Sequence, residues 1–383
     1  MAAVLIVAIL AVFGRVRTSR ATPVGSVAHC IDYTVPLTVT SQNFVFNITK
    51  FEDDFDAIDL VTEYSRKPTN IAFNPVGGIE NVTAAYSISG TFCSPTVPVG
   101  REKTILLATH GLHYDRRYWD SGYKPQEYSF VEAVVGKGYS IFFYDRLGTG
   151  KSEKVSGYTN QAANQVEIIA GLAQLLRDGS YTSTVGKADA IVLVGHSFGS
   201  FTSGSVLAKY PSRIDAAILT GIGYSNNPSY SGKVLLEGFA PRIAAQLQSN
   251  PIYELDTGYL TFADIFAHVN TFFKAPAYEV EAARYAQSIV APFAISEYLS
   301  LERTSPLVPE FGGPVLVTTG EFDFAVCAGE CYSTYAQQPL QAIFPQSRVE
   351  SYVHPGVGHG INLGLNATGF YGVVTDFLEK AGF

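Results

Sequence analysis

The spacing of hydrophobic and polar residues changes along the chain and predicts three kinds of structure. Residues from about 30 to 100 alternate apolar and polar positions, which predicts antiparallel strands at the start of a sheet. From 103 to 222, short apolar runs alternate with helical spacing, which predicts a parallel sheet with right-handed crossovers. Residues 224–308 have Ala, Gln, Tyr and Phe at helical spacing, interrupted by several prolines. We expect a helical insertion there. The sheet resumes at 315–319, and the chain ends with a helix at 370–380.

The first apolar run, residues 2–14, stands outside this pattern. It is shorter than the roughly 20 residues that a membrane-spanning helix needs, and it matches the hydrophobic core of a signal peptide. No Lys or Arg precedes the run, whereas three arginines follow it. We therefore expect a signal peptide over residues 1–21, cleaved near Ala21, and a secreted protein. A signal anchor is the alternative.

Composition limits the classes of partner. The 383 residues are 47% hydrophobic and only 16% charged, which is enough apolar material for a large core. The chain carries 34 acidic and 26 basic residues, a formal net charge of −8. A negative protein without a run of Lys and Arg is a poor match for nucleic acid or an anionic membrane. We expect no nucleic-acid partner and no stable membrane insertion after processing.

An even number of cysteines fits a secreted chain with disulfides. The four are Cys30, Cys93, Cys327 and Cys331. Three pairings are possible, and proximity favours Cys327–Cys331, which leaves Cys30–Cys93 to cross the N-terminal strands. Four reduced cysteines in a cytosolic protein are the alternative.

Three Asn-x-Thr sequons also bear on location. They stand at Asn47, Asn81 and Asn366. A chain of this length holds about two sequons by chance at ordinary composition. The sequons therefore permit glycosylation without demonstrating secretion.

The sequence Gly-His-Ser-Phe-Gly at 195–199 is the strongest chemical signal. It follows the apolar run 190–194 and precedes helical spacing. A Gly-x-Ser-x-Gly motif between a strand and a helix predicts a nucleophile elbow, in which the glycines allow a sharp turn that exposes the serine hydroxyl. Ser197 is the predicted nucleophile, and the N–H of Phe198 is left to bind an oxyanion. His196 is expected to point elsewhere.

A serine hydroxyl becomes a strong nucleophile only beside a base that a third group orients. Downstream, Asp323 follows an apolar strand and His359 lies in a glycine-rich loop. The chain order Ser, Asp, His is the one expected for this type of elbow. Glu321 lies two residues before Asp323 and is its rival. His354 is interpreted as structural, because a loop reaches the serine more easily than a strand does.

An oxyanion site needs a second N–H donor from another loop. The strand at 104–109 leads into His110, Gly111, Leu112 and His113, which we call the oxyanion loop. Leu112 is the predicted donor, and Gly111 allows the backbone to approach the substrate closely. The two histidines suggest a metal pair, but no carboxylate or cysteine cluster accompanies them. We expect no metal, and His110 is interpreted as a packing residue.

The segment 144–152 ends in Gly-Lys-Ser but lacks the upstream glycine of a phosphate-binding loop. It predicts a tight turn before a helix at 161–177.

Together these motifs resemble the α/β-hydrolase superfamily, in its lid-bearing esterase, epoxide-hydrolase and haloperoxidase-like branch. The chain looks similar to secreted fungal members over roughly residues 100 to 380. The motifs that carry the resemblance are His110-Gly111 with Trp119 downstream, the turn at 145–152, the elbow at 195–199, Gly320-Glu321-Phe322-Asp323 and Gly358-His359.

The resemblance implies an α/β fold with a mostly parallel central sheet, helices on both faces and a helical lid. The implied hydrolase core comprises residues 22–223 and 309–383, and the lid comprises 224–308. The turn reads Asp145-Arg146-Leu147-Gly148, with its arginine one position earlier than in the family pattern, and we interpret this as a tolerated variation.

The family's roles carry over by residue. The resemblance makes Ser197 the nucleophile, His359 the general base, Asp323 the orienting acid, and Leu112 and Phe198 the oxyanion donors. Epoxide hydrolases and haloalkane dehalogenases have aspartate at the nucleophile position. A serine there argues for acyl chemistry.

We therefore predict a secreted serine hydrolase of a hydrophobic ester or lactone that uses no cofactor. Gly111, Phe262, Phe266 and Phe273 are the expected substrate contacts, although phenylalanines that only attach the lid to the core are the alternative. Amide cleavage, acyl transfer and cofactor-free haloperoxidation on the same triad remain alternatives, as does a non-catalytic binding module. The sequence does not indicate an oligomeric state.

Overall fold

The computed structural model describes residues 17–19, 27–70, 72–224, 237–247, 252, 254–301 and 307–383. The strands in these ranges are β1 (Arg17–Ser19), β2 (Ala28–Phe46), β3 (Val76–Pro95), β4 (Thr104–Thr109), β5 (Ser140–Tyr144), β6 (Ala190–His196), β7 (Ala216–Thr220), β8 (Arg242–Ile243), β9 (Tyr259–Thr261), β10 (Phe293–Ala294), β11 (Val315–Gly320) and β12 (Val349–His354). The helices are α1 (Asp54–Ser65), α2 (Pro125–Tyr128), α3 (Phe130–Gly136), α4 (Ala162–Arg177), α5 (Phe198–Lys209), α6 (Ile265–Phe272), α7 (Val280–Ser288), α8 (Ile295–Leu301), α9 (Phe324–Cys327), α10 (Cys331–Ala336), α11 (Leu340–Ile343) and α12 (Ala367–Ala381). Single 3-10 turns lie at Arg116–Tyr118, Pro211–Arg213, Ala244–Gln246 and Ile361–Leu363.

Nine of the described strands form one sheet in the order β1-β2-β3-β5-β4-β6-β7-β11-β12. The six strands from β5 to β12 in this order run parallel. Every residue of β4, β6 and β7 is buried, as expected for parallel strands that are covered on both faces. The predicted α/β fold with a mostly parallel sheet is confirmed.

The sheet has a hydrophobic core on each face. Along β4, Ile105 and Leu107 belong to one core, whereas Leu106 and Ala108 belong to the other. Side chains of α4 and α5 complete the first core, and those of α3 and α12 complete the second. This alternation places helices on both sides of the strands and leaves their carboxyl ends free for the loops that carry the candidate chemistry.

The N-terminal strands are antiparallel, as their alternating pattern predicts. Cys30 and Cys93 lie opposite each other in β2 and β3, with Cα atoms 4.1 Å apart, and form a disulfide. Cys327 and Cys331 form the second disulfide. The predicted pairing is confirmed. Strand β1 falls within the predicted signal peptide, and the rest of that segment lies outside the described residues.

The predicted lid, residues 224–308, is not purely helical. Its described parts contain α6, α7 and α8, together with a three-stranded antiparallel sheet of β8, β9 and β10. These strands have only two or three residues, which is too short for a period-2 pattern to be recognised in the sequence. Both predicted boundaries of the lid lie beside segments outside the described residues.

None of the helices in the described ranges is both long and apolar enough to cross a membrane. The apolar run at 2–14 lies outside those ranges.

Candidate active site

Ser197 occupies the sharp turn between β6 and α5, which is the predicted strand–turn–helix context. Its backbone has φ 53° and ψ −119°, a strained conformation for a non-glycine residue. The elbow passes so close to the end of β4 that a Cβ atom on Gly199 would lie 2.1 Å from the carbonyl oxygen of Thr109. Glycine is therefore required at this position. The N–H of Ser197 donates to the carbonyl of Thr220 at 2.8 Å and ties the elbow to β7.

The structure brings Asp323 and His359 together. His359 Nδ1 and Asp323 Oδ2 lie 2.6 Å apart, and both side chains are buried. Asp323 also accepts hydrogen bonds from the backbone N–H of Val326 at 2.9 Å and from the hydroxyl of Thr319. These donors hold the carboxylate toward the imidazole.

The two rivals of these residues bond elsewhere. Glu321 accepts a hydrogen bond from the N–H of Gly356 at 2.7 Å. His354 Nε2 bonds the carbonyl of Asn366 at 3.1 Å. Neither side chain therefore joins the Asp323–His359 pair, and His354 has the structural role expected of it.

Ser197 and His359 both lie beside the end of β7. Ser197 is bonded to Thr220, and a Cβ atom on the next residue, Gly221, would lie 3.0 Å from His359 Cε1. His359 Nε2 is buried and has no hydrogen-bond partner in the described ranges. It is therefore available to accept a proton. Bonds between a nucleophile and its base are often long until substrate binds.

A second histidine lies beside the first. The ring of His196 stacks on Tyr118, with centroids 4.4 Å apart, and lies 4.8 Å from the ring of His359. His196 Nδ1 bonds the hydroxyl of Thr220 at 3.0 Å. Burial, and then the neighbouring His359, hold the pKa of His196 well below its usual value. His196 is thus a neutral packing partner of His359. Its position next to Ser197 in the sequence does not indicate this contact.

The oxyanion loop lies against Ser197. A Cβ atom on Gly111 would be 2.9 Å from Ser197 Cβ, so glycine allows this approach. The N–H groups of Leu112 and Phe198 are not donors in any turn, loop or cap hydrogen bond between backbone groups of the described residues. They are therefore available for an external acceptor. His110 donates from Nδ1 to the carbonyl of Gly111 at 2.9 Å, consistent with the packing role expected of it.

An aromatic residue of the predicted lid packs against His359. The ring of Phe272 at the end of α6 lies 4.8 Å from that of His359, and its carbonyl accepts a hydrogen bond from Gly360 N at 2.9 Å. Phe262 and Phe273, two of the expected substrate contacts, are buried. Phe266, the third of these phenylalanines, is 77% exposed, which does not fit the expected substrate contact. It lies on the outward face of α6.

Two buried histidines extend this aromatic cluster. His113 stacks on Phe262 with centroids 3.6 Å apart, and neither of its ring nitrogens has a partner in the described ranges. His268 bonds the hydroxyl of Tyr114 at 2.7 Å and the amide oxygen of Gln287 at 3.0 Å. Burial lowers the pKa of His268 to about 4.

In the described ranges no group of three His, Cys, Asp or Glu side chains could hold a metal ion.

The second disulfide reinforces the turn that carries Asp323. The N–H groups of Cys327 and Gly329 donate to the carbonyl of Asp323 at 3.2 and 3.0 Å, and Cys331 N donates to the carbonyl of Glu321 at 3.0 Å. The Cys327–Cys331 bond closes this turn. The position of Asp323 therefore depends on a covalent link as well as on its hydrogen bonds.

The match to a known family agrees with this arrangement. The family model described as the alpha/beta hydrolase family matches residues 105–367. A search of curated proteins found no match.

Solved structures share the fold. An esterase from Thermogutta terrifontis is 17% identical with a TM-score of 0.52, and the match covers 77% of this chain and 94% of the esterase. An enol-lactonase from Burkholderia xenovorans LB400 is 17% identical with a TM-score of 0.51, over 77% of this chain and 97% of the lactonase. A mutant epoxide hydrolase from Vigna radiata is 16% identical with a TM-score of 0.51, and the match covers 77% of this chain and 96% of the epoxide hydrolase. At these identities the similarity extends to the fold alone.

Proposed function

The chain belongs to the alpha/beta hydrolase family, and from that premise we propose that it is a serine hydrolase of hydrophobic carboxylic esters or lactones. The observation that carries the proposal is the buried 2.6 Å contact between His359 Nδ1 and Asp323 Oδ2, close to the elbow that presents Ser197. A base oriented by a buried carboxylate is the arrangement that activates a serine hydroxyl.

In the proposed reaction His359 Nε2 takes the proton of Ser197 as its Oγ attacks the substrate carbonyl. The N–H groups of Leu112 and Phe198 bind the resulting oxyanion. The C–O bond to the leaving alcohol then breaks, and the alcohol leaves with the proton from His359. Water attacks the acyl-enzyme with His359 again as base. The bond between the acyl carbon and Ser197 Oγ breaks, and His359 returns the proton to Oγ as the carboxylic acid leaves. Asp323 stabilises the imidazolium of His359 during both acylation and deacylation, without taking its proton.

The choice of substrate class rests on the nucleophile and its surroundings. A serine supports acyl transfer to water, which distinguishes this chain from relatives that have an aspartate nucleophile. The buried Phe262, Phe272 and Phe273 around the histidines favour an apolar acyl or alcohol group. The esterase and the enol-lactonase that share the fold have activities of the proposed type.

We also propose that the protein is secreted. Two disulfides support this location, since such bonds form and persist mainly in oxidising compartments. The sequon residues Asn47, Asn81 and Asn366 are all exposed, so a glycan could be attached at each of them. Edman sequencing of the protein from a eukaryotic culture medium would test this. A mature N-terminus near residue 22 is expected, whereas retention in the cell membrane would favour the signal anchor.

Labelling by a fluorophosphonate probe tests the proposed activity. The reagent phosphonylates an activated serine and loses fluoride. We expect the wild type to be labelled and Ser197→Ala to be inert. Ser203→Ala is the matched control, because this buried hydroxyl lies on α5 and has no hydrogen-bond partner in the described ranges. It should be labelled like the wild type.

A folded wild type that resists labelling would contradict the proposal and favour a binding module. If labelling succeeds, a panel of esters, lactones and amides, with and without an acceptor alcohol or with halide and peroxide, separates hydrolysis from the other reactions of a serine triad.

A further inference from the structure

One buried guanidinium contacts both sides of the predicted oxyanion site. Arg146 follows β5 and is fully buried. Its Nη2 donates to the carbonyl oxygen of Gly111 at 3.4 Å, and its Cζ lies 4.5 Å from the ring centroid of Phe198. Its backbone N–H donates to His110 Nε2 at 3.1 Å. Arg146 thus connects the oxyanion loop with the first residue of α5.

The carbonyl of Gly111 belongs to the same peptide group as the N–H of Leu112. In a planar trans peptide the C=O and N–H point in opposite directions, so a donor that fixes the oxygen also fixes the direction of the N–H. A positive charge at the oxygen polarises the group and makes the N–H a stronger donor, as in cooperative chains of hydrogen bonds. His110 Nδ1 donates to the same oxygen at 2.9 Å and adds to this effect.

The guanidinium is itself held from the lid. Its Nη1 pairs with the carboxylate of Glu297 on α8, and this side chain is also fully buried. Glu297 Oε1 accepts a hydrogen bond from Gln165 Nε2 at 2.9 Å, and Oε2 accepts one from Ala294 N at 3.2 Å. Burial raises the pKa of the Glu297 carboxyl, whereas Arg146 opposes that change. The ion pair therefore joins α8 to the oxyanion loop.

Fold stability alone is a weak reason for such a pair. Desolvation of two charges often outweighs their attraction, so a buried ion pair can be replaced by apolar residues with little loss. A role in orienting a reacting group gives the pair a purpose that an apolar pair could not serve.

We propose that Arg146 is a positioning residue that orients and polarises the Gly111–Leu112 peptide for oxyanion binding, and that Glu297 fixes its guanidinium. This role rests on the proposed serine hydrolase function. It also gives a purpose to an arginine that the sequence pattern treats as a variation in a structural turn.

The test uses the kinetics of fluorophosphonate labelling, in which the phosphoryl oxygen occupies the oxyanion site. The double variant R146M/E297L removes both charges together, and R146K keeps the charge but not the planar fork. The control is R116K. Arg116, on the 3-10 turn Arg116–Tyr118, is also buried, and it contacts Asp145 and Ser89 instead of Gly111 or Phe198. Circular dichroism and thermal unfolding check that each variant is folded.

We expect the saturating rate of phosphonylation to fall about tenfold or more in R146M/E297L, since losing a whole oxyanion donor costs about 10²–10³-fold and this change only weakens one. The half-saturating probe concentration should change by less than about threefold, because the charge acts mainly in the transition state. R146K should lie between the double variant and the wild type, and R116K should match the wild type.

A folded double variant with the wild-type saturating rate would overturn the inference, as would an equal loss in R116K. If the double variant does not fold, a folded R146K with an unchanged rate would overturn it equally. A wild type that is not labelled at all would instead reject the serine hydrolase function, and this inference with it.

Discussion

The carboxylate of Asp323 and the imidazole of His359 lie 2.6 Å apart, with side-chain exposures of 0% and 1%. The contact joins two loops that follow neighbouring parallel strands, β11 and β12. Because water is excluded, the carboxylate is held by Thr319 and the N–H of Val326 and not by solvent. The pair is thus organised before any substrate arrives.

Asp323→Asn should abolish most of the proposed ester hydrolysis without unfolding the protein. The amide can no longer hold Nδ1–H of His359 in the productive tautomer, and such a change in a serine triad lowers kcat by about 10⁴-fold. Glu321→Gln is the matched control and should retain activity within about threefold, since a Gln amide oxygen can still accept the bond from Gly356 N. Steady-state hydrolysis of a p-nitrophenyl ester measures both. A larger loss in Glu321→Gln than in Asp323→Asn would reverse the assignment of the acid.

Gly111→Ala should prevent labelling of Ser197 by displacing this residue or the oxyanion loop. The added methyl would lie 2.9 Å from Ser197 Cβ and 3.1 Å from the carbonyl of His196, both of which are held in place. A displacement of about 1 Å in a reacting group can cost about 10²-fold in rate. Gly122→Ala is the control, because its nearest neighbour would be 3.7 Å away. Equal labelling of both variants would show that the loop adapts.

The two disulfides should have separable effects. Chain-entropy arguments give about 4 kcal/mol for the 63-residue separation of Cys30 and Cys93, but only about 2 kcal/mol for the 4-residue separation of Cys327 and Cys331. Replacing the first pair with serine should mainly lower the free energy of unfolding. Replacing the second should mainly lower kcat, because it loosens the turn of Asp323. Urea unfolding and ester hydrolysis on both variants check this, and the opposite ranking would contradict it.

Acid should destabilise the fold as buried histidines become charged. Burial holds the pKa values of His110, His113 and His196 well below the usual value, and lowers that of His268 to about 4. The unfolded state therefore binds more protons than the native state between the unfolded pKa of about 6.5 and the lower folded values. The contribution of these buried histidines to the free energy of unfolding is full above pH 6.5 and is lost as the pH falls toward their lower folded pKa values.

The contribution of one histidine can be isolated by substitution. Each buried histidine that is protonated only on unfolding changes the unfolding free energy by about 1.4 kcal/mol per pH unit. His268→Gln should lower the slope of the unfolding free energy against pH by about 1.4 kcal/mol per pH unit between pH 6 and pH 4.5. Denaturant titrations at several pH values measure it. An unaltered slope in His268→Gln would contradict the assignment.

Phe272→Ala should damage the site more than Phe266→Ala does. Phe272 is 2% exposed and its ring contacts His359, so its loss should lower stability by about 3–5 kcal/mol and uncover the histidine. Phe266, at 77% exposure on the same helix, should tolerate alanine within about 0.5 kcal/mol. Thermal unfolding measures the loss of stability, and the KM for long-chain esters reports the uncovering of His359. Similar results for both variants would show that the lid does not bury Phe272 in solution.

Much of the fold and the nucleophile follows from local sequence. The apolar runs at 190–194 and 315–317 are continuous because both faces of their strands are covered, and that pattern can be recognised without knowing which strands pair. The elbow at 195–199 likewise combines strand, turn and helix signals within a dozen residues. Ser197 could therefore be predicted from its own neighbourhood, and the disulfide pairing from proximity along the chain.

The remaining choices depended on contacts that are distant in sequence. Asp323 and Glu321 have the same chemistry on one loop, and only the placement of His359 and Gly356 distinguishes them. Phe266 and Phe272 lie six positions apart on α6, about 120° apart around its axis, and only the packing decides which face is covered.

The sequence by itself thus determined the parallel sheet, the elbow and the order of Ser197, Asp323 and His359, because each is encoded by short-range periodicity or turn chemistry. The tertiary structure decided which carboxylate meets the histidine, which aromatic rings cover it, and that Arg146 meets Glu297 across 151 positions to reach the oxyanion loop. Those contacts form only when the sheet brings the ends of separate strands together. No short stretch of the sequence indicates which of these segments will be neighbours.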